Sequence, residues 1–454
     1  MFSSLSSSLS SSQFSEFLHD VLEKALKRGA DEADVLYVQG TSVSVSQRNQ
    51  EVEELERSEG NDLGLRVFVG KRQAVVSTSD LSEKSLSDLL DRAISMAKMV
   101  PEDPFCGLAS REEVAHAWGS YETYDNQEDT ADFLIHEAHL CEEAALSVPG
   151  ISKSEGVSAS WGKSAMMLVT SHGFKGEAQE SGRSLSVSMI AEKNKKMERD
   201  YASTHAIFRS DMLTPKALGI EASERTLRRL LPRKISSMKV PIIFDPRVGS
   251  SFLEHFASAI NGASVARGTT FLKDALNHSL FSKEITILDD PHKMRGLRSR
   301  PFDAEGILTF PRSVVEEGVL KTWILDLRSA RQLGLKTTGN ASRSPGGIPY
   351  PSVSNFYMKP GLHSPHDLIG GISKGLYVTE LIGDGVNLMT GDYSRGAVGF
   401  FIEKGELTFP VSEITIAGNL KDMFQRLSVC NDLTFRYGID VPTLMIEGMT
   451  IAGV

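Results

Sequence analysis

The first group in this chain able to do chemistry is His136-Glu137-Ala138-His139, followed by Glu142 and Glu143. Two histidines on a helix with carboxylates one turn on could hold a divalent metal. The zinc-protease helix, however, needs HExxH, two imidazoles on one face with a glutamate between them. Here the spacing is one residue short, and the pattern reads as solvated histidines on an amphipathic helix. A second constellation, Gly391-Asp392-Tyr393-Ser394-Arg395-Gly396, sets a serine beside an aspartate and an arginine, without a GxSxG elbow or a neighbouring histidine. Gly383-Asp384-Gly385 fits neither a Walker loop nor a dinucleotide fingerprint. Cys106, Cys141 and Cys430 are far apart and follow no CxxC spacing, which suits a reducing compartment and gives no disulfide framework.

The elements that must position these groups are legible from periodicity. Apolar residues recur at three and four from Phe14 to Arg28, one face of a helix closed by Gly29. Alternating segments follow at 33–39, 42–47, 51–57, 63–69 and 73–77, with Gly70-Lys71 as a hairpin turn. Thr78 to Asp80 reads as the cap of a helix ending near Met99, ahead of Pro101. Another helix is expected over 130–147, then strands from Ser152 to Phe208 with turns at Ser171-His172-Gly173 and Ser181-Gly182, then a helix over 214–231. Pro232 to Met238 reads as a domain boundary. Beyond it come a strand over 240–244, a helix from Val248 to Ala263, glycine-punctuated short strands, a strand over 409–417 and a closing strand over 443–451. The expected fold is α+β: an N-terminal α/β-meander domain with long helices over 13–237, then a β-rich barrel- or sandwich-like domain over 238–454. Residues 1–12 read as a flexible tail, since the first fifteen residues hold nine serines and no basic stretch or continuous apolar core.

Composition excludes several classes. The 454 residues are 40% hydrophobic and 24% charged, ordinary for a globular protein with two or three domains. A formal charge of -10 argues against a nucleic-acid binder, which needs a basic face for phosphates. The basic run Arg225 to Lys234 reads as the solvated face of a helix end. No apolar stretch reaches the ~18 residues of a membrane span. Cytoplasmic residence is expected.

The stretch Gly383 to Met423, GDGVNLMTGDYSRGAVGFFIEKGELTFPVSEITIAGNLKDM, carries glycines at a density that allows close backbone approach. With the block Gly64 to Thr78 and the helix start at Asp80-Leu81-Ser82, it resembles the TldD/PmbA family, the so-called modulators of DNA gyrase, and within it the PmbA/TldE branch. The resemblance covers most of the chain.

That resemblance implies two related chains enclosing a peptide-processing chamber, with zinc on the TldD-type partner and none on this chain. In the TldD branch the first helix of the C-terminal domain carries HExxxH. Anchored on Arg267-Gly268-Thr269, its histidine positions fall here on Leu253 and Ser258 and its glutamate position on Glu254. Leucine and serine cannot replace two imidazoles, and His255 points some ~100° away around the helix. Cys430 falls near the branch's third ligand and, without partner ligands, reads as a packed thiol. The chain is therefore expected to be a non-catalytic subunit of a metalloprotease acting on unfolded or linear peptides. Thr390, Gly391, Asp392, Ser394, Arg395 and Gly396 are the candidates for peptide contact. A homodimer is open to the isolated chain. The alternative is a regulatory protein of gyrase or of a toxin–antitoxin pair, with no part in proteolysis.

Overall fold

The computed structural model describes residues 11–453. The tail expected over 1–12 falls outside that range except for its last two residues, which belong to helix α1 (Ser11–Lys27). Next come three strands, β1 (Glu32–Arg48), β2 (Glu51–Val69) and β3 (Arg72–Thr78). Helices α2 (Glu83–Met99) and α3 (Ala131–Leu146) lead to a second meander, β4 (Ile151–Thr170), β5 (Lys175–Lys193) and β6 (Lys196–Ala206), closed by α4 (Pro215–Arg228). The two meanders join edge to edge through β1 and β4 in one antiparallel sheet of order β3-β2-β1-β4-β5-β6.

Alternation explains the layering. In β5, Arg183, Leu185, Val187, Met189 and Ala191 are buried, while Ser184, Ser186 and Ser188 face the other way. Val35 and Tyr37 lie under α1 and α2, and Val43 and Val45 on the same face lie under α3 and α4. Leu36, on the opposite face, meets Phe302, Ile307 and Leu327 from the second half of the chain. The sheet is thus the middle layer between four helices and the C-terminal half.

That half is built on strand β7 (Met238–Phe244), parallel to Lys374–Ile382 and antiparallel to Leu444–Ala452. Lys374–Ile382 continues to Asp392–Glu403 and then Glu406–Asn419, and the last of these pairs back onto Leu444–Ala452 at Ile416 and Ile451. The sheet so closes on itself as a barrel. Against it lies α5 (Pro246–Ala259), started by Asp245, whose side chain accepts from the Arg247 amide. Its Phe252, Leu253 and Phe256 are fully buried, a burial that contributes about 1.5–3 kcal/mol for each side chain. The fold is α+β as expected, with a barrel rather than a sandwich.

Several local expectations are corrected. The strands expected at 33–39 and 42–47 are one strand, β1, and those at 51–57 and 63–69 are one strand, β2. The turn expected at Ser181-Gly182 lies inside β5, paired to Lys163 and Gly162; the chain reverses at Asn194-Lys195 instead. Helix α2 is capped by Ser82, not by Thr78 to Asp80. The helix expected over 248–263 ends at Ala259, and a separate turn of helix covers Gly262–Ala266.

Two buried charge networks tie the halves together. In one, Asp34 on β1 accepts from Arg66 Nε and from Arg343 Nη2, both at 2.7 Å, with all three side chains almost fully buried. The loop carrying Arg343 seats on β2 where Gly64 leaves room: a Cβ there would sit 1.9 Å from the Pro345 carbonyl oxygen. In the other, Arg247 on α5 grips both oxygens of Asp200 on β6 at 2.7 and 3.0 Å, and Arg229 reaches Glu380 at 2.6 Å. The basic run 225–234 is therefore not simply a solvated face. Arg229 is buried among carboxylates, Arg228 lies over the Phe400 ring and Arg233 over Phe409.

Candidate functional site

Helix α5 decides what chemistry the barrel can hold. Leu253 is wholly inside the core, between Phe252 and the buried ring of Phe256, whereas Glu254 and Ser258 point outward. The positions for two imidazoles thus carry an aliphatic side chain and a hydroxyl, and the residues present do not fit a zinc ion. Among the described residues no group of three or more histidine, cysteine, aspartate or glutamate side chains is placed to hold a metal.

What gathers around Glu254 is cationic. Although Glu254 is exposed, the surrounding chain partly desolvates its carboxyl and pushes it above the usual range, against the pull of Arg298 and Arg395. Beside it, burial and then the Arg395 charge push the His255 imidazole down, opposed by Asp384. The ring of His255 stands edge-on to Tyr393 with centroids 6.3 Å apart; His255 Nε2 has no hydrogen-bond partner, and the Tyr393 hydroxyl faces the Arg395 guanidinium. This cluster can bind an acceptor or an anion. It lacks a nucleophile with a base in reach.

The Thr390 to Gly396 segment divides in two. Thr390 donates its hydroxyl to Asp392 at 2.7 Å, and the Asn419 amide bridges the Thr390 carbonyl and Asp392, both at 3.1 Å. Those bonds from Thr390 and Asn419 hold the exposed Asp392 carboxyl below its usual range. Gly391 sits at φ +87°, a left-handed turn that other residues adopt only with strain. These residues tie a hairpin to the start of the helix Leu420–Gln425. Ser394 is exposed, Gly396 lies within the ladder opposite Ile382, and Arg395 donates to the Gly383 carbonyl at 2.7 Å. Of the six, only Arg395 is brought to Glu254 and His255. Asp384 and Tyr393 join them from the Gly383-Asp384-Gly385 and Gly391–Gly396 motifs, and Arg298 from a loop whose only signal in the sequence is the Arg-x-Arg of Arg298 and Arg300.

The remaining candidates resolve as structure. His136 is exposed and His139 half-buried on α3. Glu142, expected on the polar side of that helix, is instead wholly buried. It accepts from Gln47 Nε2 at 2.9 Å and from the Asn49 and Gln50 amides, so it holds the tip of the β1–β2 hairpin. The three thiols are free and buried, and burial pushes those of Cys141 and Cys430 up to about 12. A thiol so protonated is a poor nucleophile. None of the three is expected to react with an aromatic disulfide reagent within minutes in the native protein, and all three should react in denaturant. One equivalent released by the native protein would show that the core around a thiol opens.

Comparison with known proteins gives one consistent relationship. Three models of the PmbA/TldA metallopeptidase match: domain 1 over residues 33–97, the central domain over 124–230 and the C-terminal domain over 237–453. The metalloprotease PmbA of Escherichia coli O157:H7 is 39% identical over 96% of both chains. A PmbA homolog of Haemophilus influenzae is 36% identical over 95% of this chain and 94% of its own. Among solved structures, a candidate modulator of DNA gyrase from Bacteroides thetaiotaomicron superposes with a TM-score of 0.90 at 29% identity, over 98% of this chain and 100% of that one. TldE from Thermococcus kodakarensis superposes with a TM-score of 0.87 at 20% identity, over 96% and 99%, a likeness of fold.

Proposed function

We propose, since the chain belongs to the PmbA/TldD metallopeptidase family, that it is the zinc-free subunit of a two-chain metalloprotease that processes unfolded or linear peptides. The observation that carries this is the seating of α5. Leu253 is locked into the core and Ser258 faces out, so this chain's helix supplies no ligand pair where the sister branch binds zinc. Zinc and the catalytic glutamate then come from a TldD-type partner, and this chain shapes the chamber. Arg395 and the exposed side chains of Asp392 and Ser394 would meet an extended peptide. The same reading divides the chain into functional units at 13–237 and 238–454 and places it in the cytoplasm; no helix among the described residues is long and apolar enough to cross a membrane.

The test is turnover of an unstructured polypeptide by the purified chain alone, by an HExxxH-bearing family member alone, and by both, with zinc counted by mass spectrometry. Activity is expected only where the HExxxH chain is present, strongest in the mixture, with under about 0.1 zinc per copy of this chain. A Glu254→Gln variant is expected to leave kcat of the mixture within about twofold, because a lone carboxylate without bound metal has no water to activate. One zinc per chain together with cleavage by this chain alone would overturn the proposal. A regulatory role without proteolysis, favoured by the gyrase-modulator assignment of one solved relative, predicts no added cleavage in the mixture.

A further inference from the structure

A cavity of about 490 Å³ lies where the long sheet meets the C-terminal half. One wall is cationic and hydroxylic: Arg298, Arg300 and Arg343, with Ser342 and Ser344 beside them. The facing wall is apolar, made by Leu36, Val38, Met166 and Ala178 of the sheet, together with Phe302. Arg343 is almost fully buried and gives Nη2 to Asp34, while its Nε and Nη1 have no hydrogen-bond partner. Arg300 gives Nη2 to the Ser352 carbonyl at 2.6 Å and leaves Nε without one. Those three nitrogens are closed to solvent; the guanidinium that a ligand can reach is that of Arg298, which lines the cavity with no side-chain hydrogen bond of its own and asks for an acceptor from outside the chain. Burial, and Arg300 alongside, push the Arg298 guanidinium below its ordinary range, as burial does for Arg343. An anion arriving there would reverse that push.

Of the two carboxylates at the cavity, Asp303 is buried and held by backbone amides, and Glu180 is exposed at the rim. Asp303 accepts from the amides of Glu305, Ile307 and Ala341, and Glu180 accepts from the Ser164 hydroxyl. We propose that this cavity binds the C-terminal carboxylate of a linear peptide and takes its last side chain, an apolar one, against the Met166 and Phe302 wall. The inference deepens the peptide reading above and rests on it. A guanidinium presents parallel N–H donors that match a planar carboxylate, and the apolar wall disfavours a polyphosphate. A second cavity of about 620 Å³ adjoins the first, sharing Thr123, Ser164, Glu180 and Ser299. Its floor includes Gly40, Gly60, Gly162 and Gly182, where an extended chain can approach the backbone closely. The peptide would lie over these glycines with its C-terminus among the arginines.

The experiment is fluorescence anisotropy with the full chain and an N-terminally labelled pentapeptide ending in leucine, as free acid and as amide. The acid is expected to bind roughly tenfold or more tightly than the amide. Arg298→Gln should erase that preference at unchanged melting temperature. N-acetylleucine should displace the acid, and inorganic phosphate at equal concentration should not. Equal binding of acid and amide overturns the carboxylate site while leaving the subunit proposal intact, since that is read by turnover with a partner. Absence of binding by either peptide, or displacement by phosphate as readily as by N-acetylleucine, overturns it as well. Should Arg298→Gln fail to fold, the comparison of acid and amide on the unaltered chain decides.

Discussion

An Asp34→Ala variant is expected to lose about 3–5 kcal/mol of unfolding free energy, measured by guanidinium denaturation at neutral pH. Asp34 is the shared anion of two buried cations, Arg66 from the neighbouring strand and Arg343 from a loop 309 residues away in sequence. Removing it leaves two guanidinium groups in a dry layer without a counter-charge, and water cannot reach in to replace it. Of the remaining carboxylates that act on Arg66, Glu305 stands 3.8 Å away, too far for a good hydrogen bond, and Asp326 acts more weakly. Because Arg343 carries the loop that seats on Gly64, the loss should extend to the contact between the halves, seen as earlier proteolysis of the 341–352 segment. An Asp20→Ala variant is the control. Its partner Lys24 lies 2.6 Å away on the exposed face of α1, and such a pair is worth under about 1 kcal/mol. Equal losses for the two variants would show that the buried network does not hold the halves together.

That network marks the limit of what the sequence discloses. Periodicity placed α1, α3 and α4 to within a few residues, because each buries a stripe at helical spacing, and α3 and α4 have cap residues in Thr130 and Thr214. It broke β1, β2 and β5 where glycine and serine cluster. Those residues read as turns in isolation, yet in the sheet Gly40 lies opposite Gly60 and Gly162 opposite Gly182, and the ladders run through them. A glycine pair across two strands costs little when neighbouring strands supply the remaining hydrogen bonds. The degenerate metal helix was legible, since Leu253 and Ser258 exclude ligation by chemistry alone. Its surroundings were not. Arg343 reads as part of a polar loop until the fold brings Asp34 to it, and Glu142 as a surface residue until the β1–β2 hairpin tip lands on it. Burial of a charge is a property of long-range pairing, which spacing along the chain does not carry.

Glu305 gives that long-range burial a pH signature. Burial, reinforced by the nearby Asp303 charge, pushes its carboxyl up to about 8, against the pull of Arg66. In the unfolded chain the same carboxyl ionises near about pH 4.3. The folded protein therefore keeps a proton that the unfolded chain releases. Its stabilising contribution is complete below about pH 4 and is lost as pH rises through about 8. A Glu305→Gln variant keeps a neutral side chain whose carbonyl can still accept from the Leu327 amide, which Glu305 binds at 2.8 Å. It is expected to melt at a higher temperature than the parent above about pH 8, by an amount equivalent to a few kcal/mol, and to match it near about pH 5. Some slope should survive, since burial also holds the neighbouring Asp303 carboxyl above its range. The acid side has the opposite sign. Burial would raise the Asp200 carboxyl, but Arg247 outweighs it and holds it below the usual range, so its contribution is present above about pH 4 and disappears below. Melting curves for parent and variant from about pH 4.5 to about pH 9 separate these contributions, and an unchanged alkaline slope in Glu305→Gln would show that this carboxyl is already ionised in the folded protein at neutral pH.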